Sequence, residues 1–133
     1  MNGWIGVDLD GTLATYAGWS GGTVIGLPVP RMVTRVKQWL AEGKDVRIFT
    51  ARVYGLNSQN PRIYSEAWKQ ARAIEAWCLE HIGAKLPVTN EKDYAMTELW
   101  DDRAVQVVPN TGETVAEHAR KCRGFGCLCA EAS

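Results

Sequence analysis

Two carboxylates, Asp8 and Asp10, follow directly on the apolar run Trp4-Ile5-Gly6-Val7. Carboxylates are rarely buried unless they are paired or hold a metal, so acids at the end of an apolar strand need a partner. Residues two apart on a strand point to one face, which lets Asp8 and Asp10 converge if the strand stays regular. Gly11 then allows backbone to approach a ligand, and Thr12 can hydrogen-bond the turn. A second acidic pair, Asp101-Asp102, closes the stretch 97–100. Thr50 directly follows the run Asp45–Phe49, and Lys92 follows the stretch 86–89. Acids from two strands make an oxygen-rich site of the kind magnesium prefers, with waters and phosphate oxygens completing the octahedron. A hydroxyl and an ammonium suit the remaining phosphate oxygens. The set suits phosphoryl transfer with a carboxylate as in-line nucleophile. An EF-hand does not fit the first stretch, because its later ligand positions hold Leu13, Ala14 and Ala17.

The elements that must position these groups follow from periodicity and punctuation. Strands are expected at 4–7, 45–49, 86–89, 97–100 and 105–108. Pro30 opens a helix whose apolar positions are Met32, Val33, Val36, Trp39 and Leu40, and Gly43 stops it. A long helix begins at Asn60-Pro61 or Ser65. Its apolar positions are Ile63, Tyr64, Ala67, Trp68, Ala71, Ile74, Cys78 and Ile82, and Gly83 ends it. Asn110 or Thr111 caps a last helix with Glu113 in its first turn. The glycine-rich stretch 14–29 reads as a flap or small hairpin turning at Gly21-Gly22. Tyr16 and Trp19 are expected to pack that flap onto the body, with ligand contact as the alternative. Residues 53–60 read as a second mobile loop. The order predicts an α/β fold: a single Rossmann-like three-layer domain over residues 1–122 with a mainly parallel central sheet. Residues 123–133 read as a flexible tail. In a parallel sheet all the chemistry-bearing strand ends share the rim where such folds bind ligands.

The totals agree with one globular domain: 133 residues, 46% hydrophobic, 23% charged, formal net charge zero. No global field attracts nucleic acid or an anionic membrane. No apolar run approaches the ~20 residues of a membrane span, and a strand starting at Trp4 leaves no room for a signal peptide, so a cytoplasmic protein is expected. Cys78 reads as a small core residue. Cys122, Cys127 and Cys129 are spaced C-x4-C-x-C, a poor match to zinc ligation that His118 does not complete.

These stretches resemble the motifs of the haloacid dehalogenase superfamily, in particular its small capless phage and bacterial members. The first motif, apolar residues then D-x-D-G-T, is matched by Val7-Asp8-Leu9-Asp10-Gly11-Thr12. The second, a strand ending in Ser or Thr, is matched by Ile48-Phe49-Thr50. The third, a lysine, is matched by Lys92 with Lys85 as rival. The fourth, an acidic pair after an apolar strand, is matched by Leu99-Trp100-Asp101-Asp102. The resemblance implies that Asp8 is the nucleophile and Asp10 the acid and base. It implies that Thr50 and Lys92 hold the phosphoryl group. Magnesium is implied at Asp8, the Asp10 carbonyl and Asp101, with Asp102 as ligand or support. Arg52 is a candidate substrate contact, and Arg103 a partner for Asp102. Neither insertion point has room for a cap domain, which implies an open site unless the 53–60 loop or oligomerisation covers it.

The expected function is a magnesium-dependent phosphatase acting on a phosphomonoester: a nucleotide, a polynucleotide end or a sugar phosphate. No compact basic stretch with interleaved aromatics points to nucleic acid, though Arg52, Arg62, Lys69 and Arg72 could form a patch beside the site. The alternative is a non-catalytic binding or regulatory protein on the same fold. A receiver-like phosphoacceptor fits less well, because its acceptor Asp lies on a later strand. A homo-oligomer is compatible with all of these.

Overall fold

The computed structural model describes residues 3–122, and the chain divides into two compact units between Asp102 and Arg103. In the first unit β1, Trp4–Val7, is buried at every position, the pattern of a strand covered on both faces. It is flanked by β2, Asp45–Phe49, and β4, Met96–Trp100, while β3, Val88–Thr89, pairs with β2. The order is β3-β2-β1-β4 and every pairing is parallel. The α/β architecture with a parallel sheet is therefore as the sequence predicts.

Two helices cover one face. In α1, Pro30–Ala41, proline occupies the first turn, and Met32, Val33 and Val36 turn inward. In α2, Pro61–His81, Asn60 is the cap: its side-chain oxygen accepts the amides of Arg62 at 3.0 Å and Ile63 at 3.4 Å. Ile5 pairs with Val46 and Val7 with Ile48, so these four share a face. They form one core with Met32, Val36, Ala71, Ile74 and Cys78. The steps β1 to β2 and β2 to β3 run in the same direction, so right-handed crossovers place both helices on that side. The opposite face is crossed by the short connection 90–95. There the Trp4 indole donates to Asp93 at 2.9 Å, and its ring lies 6.4 Å from that of Phe49.

Several sequence expectations give way to packing. The loop expected at 53–60 is in large part helical: Ala51–Asn57 forms a 3-10 helix with Val53 and Gly55 buried. No hairpin turns at Gly21-Gly22; the flap closes instead by an antiparallel bridge between Ala14 and Pro28. Tyr64 and Trp68 are exposed, and Trp77 takes the buried place on α2. Cys78 is buried as expected, and burial pushes its thiol up to about 12.

In the second unit the expected strand at 105–108 reduces to a single bridge, Val107 to Thr114. The last helix, α3, Val115–Cys122, is capped by Thr114 rather than by Asn110 or Thr111. Thr114 accepts the Glu117 amide at 3.0 Å and Glu117 accepts the Thr114 amide at 3.0 Å, a reciprocal capping box. The expected tail, with Cys127 and Cys129, lies outside the described residues. Among the described residues no helix is long and apolar enough to cross a membrane.

Candidate active site

The turn after β1 is built on two leucines. Leu9 and Leu13 are fully buried, and the Leu9 carbonyl accepts the amides of Leu13 at 3.0 Å and Ala14 at 2.9 Å. Anchoring Leu9 in the core leaves the acids on either side of it half-buried at the turn. Gly11 has φ +91°, and a Cβ there would stand 2.5 Å from Asp102 Oδ2. Only glycine satisfies both the left-handed backbone and that contact.

The structure brings Asp8 to the second acidic pair. The Asp8 amide donates to the Trp100 carbonyl at 2.9 Å, extending the β1–β4 pairing to the rim. Carboxylate oxygens of Asp8, Asp101 and Asp102 lie within 4.8 Å of one another. Thr12 ties the two strand ends together. Its hydroxyl accepts the Asp102 amide at 2.9 Å and lies 3.2 Å from Asp102 Oδ1 and 3.4 Å from Asp8 Oδ2. Burial, then the Asp101 charge, then a hydrogen bond to Asp102 push the Asp8 carboxyl up to about 7. A hard divalent cation relieves that crowding, and hard oxygens are its preferred donors. The residues present therefore fit magnesium held by Asp8, Asp101 and Asp102.

Asp10 stands beside this cluster rather than in it: the strand ends at Val7, and its carboxylate turns to Arg52 while its charge still adds to those that raise Asp8. Arg52 grips it bidentately, Nε to Oδ2 at 2.7 Å and Nη2 to Oδ1 at 2.8 Å. The Arg52 side chain is 7% exposed and that of Asp10 20%. This is a shielded fork rather than a surface ion pair. Arg52 also donates to Gln70 Oε1 at 3.2 Å and to the Val24 carbonyl at 2.9 Å. In this structure Arg52 therefore holds a site carboxylate and the flap, where the sequence suggested a substrate contact.

Thr50 stands at the same rim, 3% exposed, its amide bonded to the Thr89 carbonyl at 2.9 Å. Its hydroxyl accepts the Arg52 amide at 3.2 Å and so caps the 3-10 helix that aims Arg52. Lys85 precedes β3 and lies at the amino end of the sheet. Lys92 leaves β3 at the carboxyl end but is exposed. It lines a groove of about 540 Å³ beside β4 with Asp93, Tyr94 and Met96.

Gln70 is the site residue that sequence reasoning passed over. It is 9% exposed, accepts from Arg52, and donates to the Gly22 carbonyl of the flap at 2.7 Å. The signal was a polar residue on the inward stripe of α2, between Ala67 and Ile74.

No protein-family model matches the chain, and no curated protein does. Among solved structures it is similar to a conserved protein from Bacteroides thetaiotaomicron. The match has 19% identity over 95% of each chain and a TM-score of 0.49, and nothing about function rests on it.

Proposed function

We propose that this chain is a magnesium-dependent phosphomonoesterase of the haloacid dehalogenase type, working through an aspartyl-phosphate on Asp8. The observation that carries the reading is the meeting of Asp8, Asp101 and Asp102 within 4.8 Å at the ends of two adjacent parallel strands. When bound by these acids, magnesium offsets their charge and that of the phosphoryl group. An Asp8 oxygen attacks phosphorus as the bond to the leaving oxygen breaks, and Asp10 gives that oxygen a proton. Asp10 then takes a proton from water, which attacks phosphorus, breaks the acyl-phosphate bond and restores Asp8. Both Asp10 oxygens are engaged by Arg52, so each transfer needs one arm of the fork to loosen. Thr50 donates to a phosphoryl oxygen, with Lys92 as the candidate cation.

The same fork favours a second reading, a binding protein whose Asp10 is permanently held. Phosphate release from a panel of phosphomonoesters separates the two. Release with magnesium, lost with chelator and in Asp8→Asn, supports the phosphatase. Silence across the panel from folded protein that still binds magnesium supports the binding protein.

A further inference from the structure

The flap presents an indole to solvent while being fixed from beneath. Trp19 is 59% exposed, contrary to the expectation that it packs the flap down. Yet the flap backbone is clamped. Arg52, Gln70 and Trp77 donate to the carbonyls of Val24 at 2.9 Å, Gly22 at 2.7 Å and Gly26 at 3.0 Å. The guanidinium carbon of Arg52 lies 5.1 Å from the Trp19 ring centre, and the same guanidinium forks Asp10. One rigid plane thus spans from the indole to the carboxylate that serves the leaving oxygen. An exposed aromatic face with a cation behind it is a stacking platform for a planar ring.

We infer that Trp19 is the leaving-group subsite, stacking the base of a nucleoside phosphate whose leaving oxygen meets Asp10. This rests on the phosphatase reading of Asp8 and Asp10 and adds the substrate class. The ring can come from a free nucleotide or from the phosphorylated end of a strand. Sugar phosphates and other aliphatic esters lack the group that Trp19 holds. Tyr16, 51% exposed on the same flap, is a neighbouring aromatic in sequence and is not required.

The test compares kcat/KM for adenosine monophosphate, a terminally phosphorylated oligonucleotide and glycerol phosphate. Each variant is referred to wild type on the same substrate, which cancels differences in leaving-group reactivity. Trp68→Ala is the matched control, because Trp68 is 47% exposed on α2 with Arg72 5.1 Å over its ring. Trp19→Ala is expected to lower kcat/KM about tenfold or more on a base-bearing substrate, the size of one stacking contact. On glycerol phosphate it stays within about twofold, a difference too small for a lost stacking contact. Trp19→Phe retains most of the preference, and Trp68→Ala changes neither. Whichever base-bearing substrate carries the larger loss identifies the source, and either supports the platform. Equal losses on all three substrates, or none, overturn it.

If wild type hydrolyses none of them, the phosphatase reading fails and the platform is judged by binding alone. The Trp19 indole N–H resonance, identified by its absence in Trp19→Phe, is followed as adenosine monophosphate is added with magnesium. A saturable shift supports the subsite, and no shift overturns it.

Discussion

Burial and the charges of Asp101 and Asp102 push the Asp8 carboxyl from its ordinary 3.8 up to about 7. In metal-free protein this group favours the folded state while protonated. Its contribution is present in full below about pH 4 and is lost as pH rises through about 7. Denaturant midpoints without metal should therefore show wild type losing ground to Asp8→Asn between about pH 4 and about pH 7 and levelling off above that. A difference that does not change with pH would mean Asp8 is not crowded. Magnesium takes the ionised acid, so its affinity falls as pH drops across the same range. Arg52 gives a second prediction. Lysine supplies charge but no fork, so Arg52→Lys is expected to lower kcat by about a hundredfold, the lower end of the range for acid–base catalysis. The loss should fall on kcat more than on KM, read by steady-state kinetics on the best panel substrate.

At the scale of elements, the turn after β1 carries the tightest geometry. Gly11→Ala places a Cβ against the Asp102 carboxylate and forces a left-handed backbone on alanine. A loss of about 1–3 kcal/mol in unfolding free energy is expected, with weaker magnesium binding because Asp102 must move. Calorimetry checks both. Strands and helices were legible because their signals are local: Pro30, Asn60 and Gly83 punctuate, and β1 reads as an apolar run ended by acids. The 3-10 helix was not legible, because Val53 and Gly55 are buried by the long-range packing of α2 rather than by any period of their own. The strand expected at 105–108 has apolar residues but pairs only through Val107. Asp8 and the Asp101-Asp102 pair could be foreseen, since chain order and a parallel sheet bring them to one rim. The Arg52–Asp10 fork and Gln70 could not, since they depend on where the flap lies over α2.

For the molecule as a whole, the core and the acidic rim should separate experimentally. Ile74 is fully buried in the cluster that joins both helices to the sheet. Ile74→Ala is expected to cost about 2–5 kcal/mol, equally with magnesium and with chelator. Magnesium should raise the melting temperature of wild type by mass action, and of Ile74→Ala alike, but not of Asp101→Asn. Equal magnesium shifts in wild type and Asp101→Asn would place the ion elsewhere.

The proposed chemistry turns on Asp8 attacking phosphorus. Mass spectrometry of the peptide carrying Asp8, after acid quench during turnover of the best panel substrate with magnesium, tests it most directly. A phosphoryl adduct is expected on Asp8, disappearing with chelator and in Asp8→Asn. Undiminished turnover in Asp8→Asn, or an adduct on another residue, would contradict it.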